Sequence, residues 1–217
     1  MIHFDAVSKR YAMISALSRI NLHIAAGEMA FLTGRSGAGK STLLRLVALI
    51  EPPSQGTVVI SGKNAARLNR SQALALRQRM GLILQQPHLL YDRTVFANVA
   101  LPLSITEKNG ANLAERVYLA LETVGLLDKT SSLPQELSVG EQRRVEIARA
   151  IVHQPYLVIA DEPTANLDQR TAINIIQLFS ALNKVGVTVL VATHDLMLIA
   201  AMPYRIFTLK KGSLMHG

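Results

Sequence analysis

Several short stretches carry residue types suited to phosphate chemistry. Gly34-Arg35-Ser36-Gly37-Ala38-Gly39-Lys40-Ser41-Thr42 fits G-x-x-x-x-G-K-[ST] at every fixed position. Its glycines allow a sharp turn that brings backbone N–H groups against phosphate oxygens, and a following helix adds partial positive charge. Lys40 can bridge outer phosphates, and the Ser41 hydroxyl can complete the shell of a Mg²⁺ that keeps most of its waters. Asp161-Glu162 ends an apolar run, and two adjacent carboxylates there would be costly if buried without a cation or a reaction to serve. His194 follows another apolar run. Gln85 stands where a third gives out, sited to reach a metal or water in a cleft, although read alone it fits a solvated loop better. Ser138 and Gly140 open a helical stretch and form a second potential phosphate site. The Tyr11 ring could lie against an adenine face, a reading the residues alone favour no more than ordinary packing.

These groups must be positioned by strands and helices. Residues 29–33, 81–84, 156–160 and 187–192 are short apolar runs that read as buried strands, while 2–7 and 20–24 alternate as half-buried strands near an edge. Residues 57–60 add a strand, and 205–209 with the Lys211-Gly212 turn a final edge hairpin. Helices are expected over 41–48, over 68–80 with a basic face at Arg70, Arg77 and Arg79, from about 138 to 153, and over 169–184 behind the cap Asp168. From 94 to about 124 the pattern is helical, with Thr94 and Asn112 as N-caps and Pro102 and Gly110 as interruptions. Ligands in such α/β sheets bind beyond the carboxyl ends of strands, which is where Gly34, Gln85, Asp161, Glu162 and His194 fall. The loop 88–93 sets apolar residues beside charges and suits a docking surface as well as a core edge.

The 217 residues, about half apolar, suffice for one large domain or two closely joined lobes. No apolar run reaches the ~18 residues of a membrane span, and the start lacks the basic-then-apolar design of a signal peptide, so a cytoplasmic location is expected. With no cysteine, disulfides and thiolate metal sites are excluded. Twenty-three Lys and Arg against fifteen Asp and Glu leave +8, but the basic residues are scattered and Trp is absent. No aromatic platform for stacked bases is supported, and no nucleic-acid partner is expected.

Taken in order, these residues resemble the nucleotide-binding subunits of ABC-type ATPases from Tyr11 to His194. The resemblance implies a P-loop NTPase core of mainly parallel sheet with an antiparallel edge sheet and a helical subdomain. Residues 1–86 and 154–217 would form the catalytic lobe of a single ABC domain, and 87–153 the helical subdomain carrying the signature motif. It implies that Tyr11 stacks on adenine, that Gly34 to Thr42 is the Walker A loop, and that Gln85, with Ser41 and Asp161, attends the metal. Ser138, Gly140 and Gln142 match the signature motif; Glu162 matches the catalytic carboxylate, Asn166-Leu167-Asp168 the D-loop and His194 the switch histidine. ATP and Mg²⁺ are the implied cofactors, and a head-to-tail homodimer with ATP at the interface the implied assembly.

Asp92-Arg93-Thr94-Val95-Phe96-Ala97-Asn98-Val99-Ala100 and Val124-Gly125-Leu126-Leu127-Asp128-Lys129 look like the bacterial cell-division branch of this family. That branch implies a cytoplasmic ATPase peripheral on the inner face of the cell membrane. Its implied partners are an FtsX-like integral membrane protein and cytoplasmic division proteins, and its task is to switch cell-wall hydrolases. ATPase subunits of lipoprotein-releasing and macrolide-type exporters share every motif, and soluble ABC proteins acting on DNA or ribosomes usually join two cassettes or insert coiled coils. Two positions depart from the family: Val139 replaces the first glycine of Leu-Ser-Gly-Gly, and Glu146 stands where relatives carry a small or apolar residue. Both bear on the second ATP half-site.

Overall fold

The computed structural model describes residues 1–85, 88–106, 112–200 and 202–215. Gly110, expected as a helix interruption, and residues 86 and 87 at the expected lobe boundary lie outside them. Alternating and all-apolar strands sort into two sheets. β1 (Ile2–Tyr11), β2 (Ile14–Ile24), β4 (Gln55–Ile60) and β5 (Lys63–Asn64) form an antiparallel sheet in the order β2-β1-β4-β5. Ile2, Phe4, Val7, Leu17, Ile20, Leu22 and Ile24 point inward from it. β3 (Met29–Thr33), β6 (Met80–Ile83), β7 (Leu157–Asp161), β8 (Thr188–Ala192), β9 (Arg205–Lys210) and β10 (Ser213–Met215) form the second, ordered β10-β9-β3-β8-β7-β6. Its strands run parallel except β10, which returns antiparallel to β9. The sequence reading placed the whole last hairpin at an edge; instead β9 pairs with β3 and only β10 is marginal. β3, β7 and β8 are buried at every position, as parallel strands covered on both faces must be.

Side chains alternate across that sheet into two apolar cores. Ala30, Leu32, Leu157, Ile159, Leu190 and Ala192 pack with the antiparallel sheet and with Leu43, Leu46 and Val47 of α1 (Lys40–Val47). Phe31, Val158, Ala160, Val189 and Val191 face a layer of helices instead: α3 (Val95–Thr106), α4 (Leu113–Thr123), α5 (Val139–Ile151), α6 (Gln169–Lys184) and the short α7 (Leu196–Ala200). The helices of residues 95–151 therefore share one core with the sheet.

Helix ends follow local chemistry. α2 covers only Arg70–Arg77 of the expected 68–80, because Asn69 and Gln72 form a reciprocal capping box and Met80 already belongs to β6. Asp168 caps α6 through the Thr171 N–H as expected, and Thr94 accepts from the Ala97 N–H. Asn112 does stand at the N-cap of α4, but in a left-handed conformation with no side-chain bond. Pro102 lies inside α3 and does not end it, since Val95, Val99 and Leu103 bury one face of that helix on both sides of the proline.

Candidate nucleotide site

β3 runs into the glycine loop, and two of its glycines are required by space as well as by turn. Gly34 has φ 152°, and a Cβ there would lie 2.4 Å from the Leu209 carbonyl oxygen. Gly39, at φ 109°, would bring one to 2.7 Å from the Ala16 carbonyl oxygen. Gly39 is also the N-cap of α1 and offers no side chain to its first N–H groups, so these stay open for an anion. Arg35, Ser36 and Gly37 at the loop tip are exposed, Ala38 is buried, and Thr42 is half-buried on α1.

Lys40 is buried beneath this loop. Its ammonium donates to the Gly34 carbonyl at 2.8 Å and lies 3.3 Å from Glu162 Oε1. The Ser41 hydroxyl lies beside the Asp161 carboxylate, whose Oδ1 is buried with no hydrogen-bond partner. Burial pushes the Asp161 carboxyl above its ordinary value against the pull of the Ser41 hydroxyl, and the adjacent Glu162 charge adds to the push. An orphaned carboxylate oxygen beside a serine hydroxyl is a hard-oxygen pair of the kind a small divalent cation takes.

Glu162 sits just past β7 at φ 49°, left-handed for a residue with a Cβ. Its N–H donates to the Ala192 carbonyl, which pins it to the end of β8. Its Oε2 lies 2.8 Å from His194 Nδ1 and accepts from the His194 N–H at 3.3 Å. His194 keeps 67 % of its side chain exposed, whereas that of Glu162 is 9 % exposed. Gln85 lies two residues beyond Ile83, the last residue of β6, which pairs with Ala160 one residue before Asp161. The structure thus brings Gly34, Lys40, Ser41, Gln85, Asp161, Glu162 and His194 to one end of the parallel sheet.

The other expected residues have partners elsewhere in the chain. Tyr11 ends β1, where its hydroxyl donates to Glu51 at 2.5 Å and Lys9 lies over its ring. Ser138 caps α5, its hydroxyl and N–H both donating to Glu141. A Cβ on Gly140 would come within 2.9 Å of Thr171 on α6. The Gln142 amide donates to the Pro134 and Leu137 carbonyls. None of these partners belongs to the glycine loop.

Sequence reasoning missed Arg143 and Arg149 as functional candidates; Glu146 turns out to be buried with Arg143, with Arg149 half-buried beside them, and its carboxylate accepts from the His88 N–H. The signal was opposite charges at spacing three on a helix whose neighbouring positions Val145, Ile147 and Ala148 are core. In the loop 88–93, Leu89 is a core residue, whereas Tyr91, Asp92 and Arg93 are exposed.

The ABC transporter family profile matches residues 17–165, more than half of the chain. The chain belongs to the ABC ATPase family. Within it, the cell division ATP-binding protein FtsE of Escherichia coli K12 is 51 % identical over 100 % of this chain and 98 % of its own length. FtsE of Mycobacterium tuberculosis H37Rv is 43 % identical over 100 % of the chain and 95 % of its own. Among solved structures, the dimeric MJ0796, a bacterial ABC transporter cassette, superposes with a TM-score of 0.91 at 34 % identity, covering 100 % of this chain and 97 % of that one. A second MJ0796 structure, a post-hydrolysis state bound to ADP and Pi, fits equally, with TM-score 0.91. This ABC ATPase has, among its described residues, no helix long and apolar enough to cross a membrane.

Proposed function

We propose that this ABC ATPase is the ATP-hydrolysing subunit of a bacterial cell-division complex. It docks from the cytoplasmic side on an FtsX-like membrane protein and couples ATP turnover to the control of cell-wall hydrolysis. The observation that carries the reading is identity of 51 % with a cell-division relative along the whole chain rather than over the shared motifs alone. ATP-driven homodimerisation is part of it, supported by the dimeric cassettes of the same fold.

The reaction is attack of water on the γ-phosphate, which is largely a matter of positioning and charge stabilisation. The loop N–H groups of residues 34–42 and the open end of α1 receive the phosphate oxygens. Lys40 must leave Glu162 to reach the β and γ oxygens, and its departure frees the carboxylate to polarise the attacking water. His194 holds that carboxylate in place and is exposed enough to meet the γ-phosphate. Ser41, Asp161 and Gln85 would hold Mg²⁺, which when bound supplies neutralising charge to the phosphates. Tyr11 would support the adenine. Ser138, Gly140 and Gln142, which meet nothing of the loop within their own chain, would serve the ATP of a second copy.

The test is purification from membranes under conditions that keep the complex, with identification of the integral partner. Capture of an FtsX-like protein supports the reading; a substrate-exporting permease in its place overturns it.

A further inference from the structure

One stripe of α5 holds both ends of the chain segment between residues 84 and 88. Arg143, Glu146 and Arg149 follow at spacing three and so lie along one face of the helix. Arg143 donates through Nη1 to the Leu84 carbonyl at 2.9 Å and through Nη2 to the Gln85 carbonyl at 3.0 Å. Arg149 donates to the His88 carbonyl at 2.7 Å. Glu146 completes the stripe: Oε1 accepts from the His88 N–H at 2.9 Å, and Oε2 accepts from Arg143 at 2.8 Å. Arg149 Nη2 stands 3.9 Å from Glu146 Oε1.

Arg143 is 5 % exposed and Glu146 4 %, so these charges are almost wholly removed from water. Burial pushes the Glu146 carboxyl above its ordinary value despite Arg143 and the His88 N–H, which both pull it down. A carboxylate in that condition adds little to stability, and an apolar residue of similar volume would do as well. What only the carboxylate does is accept at once from a guanidinium and from a backbone N–H beyond Gln85, which fixes distance and direction together.

We propose that Glu146 is a positioning residue for ATP turnover: clamped between Arg143, Arg149 and the His88 amide, it sets where Gln85 stands relative to α5, so that glutamine and signature helix shift as one unit. The proposal rests on the reading of Gln85 as the residue that attends metal and water. It reverses what the sequence suggested for Glu146, whose effect reaches the site in its own chain through the Gln85 segment.

The experiment is a double-mutant cycle on the full-length protein, with kcat and the KM for ATP measured for Glu146→Ala, Glu146→Gln, Gln85→Ala and Gln85→Ala/Glu146→Ala. We expect Glu146→Ala to lower kcat about tenfold with KM within about twofold, a loss of positioning rather than of nucleotide affinity. Glu146→Gln keeps an acceptor for the His88 N–H but turns its NH₂ toward Arg143, so it recovers only part of the rate. The double variant is no slower than Gln85→Ala alone, because both changes remove one function. Losses that multiply in the double variant, a Glu146→Ala rate equal to the parent, or a glutamine variant as slow as the alanine one each overturn the proposal. Parental turnover in Gln85→Ala overturns the reading of Gln85 itself, which is distinct from a slow Gln85→Ala paired with a silent Glu146→Ala. Should Glu146→Ala fail to fold, Glu146→Met, which keeps the volume filled, takes its place in the cycle.

Discussion

Lys40 and Glu162 are 3.3 Å apart, so the lysine of the phosphate loop and the carboxylate at the end of β7 neutralise each other until something displaces one of them. Both are buried, and Asp161 stands near enough to Lys40 to feel its charge as well. Nucleotide phosphates are the natural competitor for Lys40, which makes release of Glu162 a consequence of binding.

Replacing Glu162 with Gln keeps the shape and removes the charge that holds Lys40. Turnover falls by about a hundredfold or more, as for loss of a group acting in the transition state, while ATP affinity is unchanged or higher. Steady-state hydrolysis with equilibrium nucleotide binding checks both halves, and turnover within a few-fold of the parent removes Glu162 from its role.

Val139 is the first residue of α5 and is 59 % exposed, so its backbone is helical and its two methyls point to solvent in the single chain. Val139→Gly should cost at most about 1 kcal/mol of stability, the ordinary price of glycine in a helix. ATP-driven dimerisation or turnover per site rises, because the start of α5 can then approach a second copy more closely. ATPase measured across protein concentrations, with and without the membrane partner, decides it; an equal or lower rate in the glycine variant goes against the expectation.

Gly39→Ala combines a positive φ with a Cβ that would meet the Ala16 carbonyl oxygen at 2.7 Å and Leu17 Cδ2 at 2.9 Å. Backbone strain of about 1–3 kcal/mol is expected, with the β2 contact pushed away from the loop. Melting temperature and nucleotide affinity should both drop. A variant that loses neither shows that the loop does not need its left-handed turn.

Asp92 and Arg93 are exposed, and the loop they share with Tyr91 is anchored from below by Asn98, whose side chain binds the Leu90 N–H and the Leu90, Arg93 and Thr94 carbonyls. Charge reversal at either position leaves those backbone bonds in place. Basal hydrolysis is therefore spared while capture of the membrane partner weakens, and a pulldown with unchanged partner yield refutes the docking role.

The Glu141 carboxyl is held below its ordinary value, first by the Ser138 N–H and then by the Ser138 hydroxyl. Its contribution to the α5 cap is therefore present above the unfolded-state value and is lost as pH falls through the lowered folded value. Glu141→Gln should be less stable than the parent near neutrality and converge with it in acid. Melting curves over that range test the sign, and a gap that widens on acidification contradicts it.

The sequence alone showed the class of chemistry and where along the chain its candidate residues fall. Spacing in 34–42, the carboxylates after an apolar run, and His194 after another were enough, because strands of this kind deliver their ends to one edge whatever the loops between them do. Local caps were equally legible: Asp168 and Thr94 act where their side chains can reach an N–H three residues on. Tertiary structure decided what depends on partners far along the chain. Pro102 stays inside α3 because packing outweighs the local penalty, and β9 becomes an inner strand because β3 offers it an unpaired edge. The Lys40 ion pair spans 122 positions of sequence, and Glu146 meets His88 across 58. No periodicity encodes such meetings; they exist only once β6, β7 and α5 are packed, and burial then decides which charges must find each other.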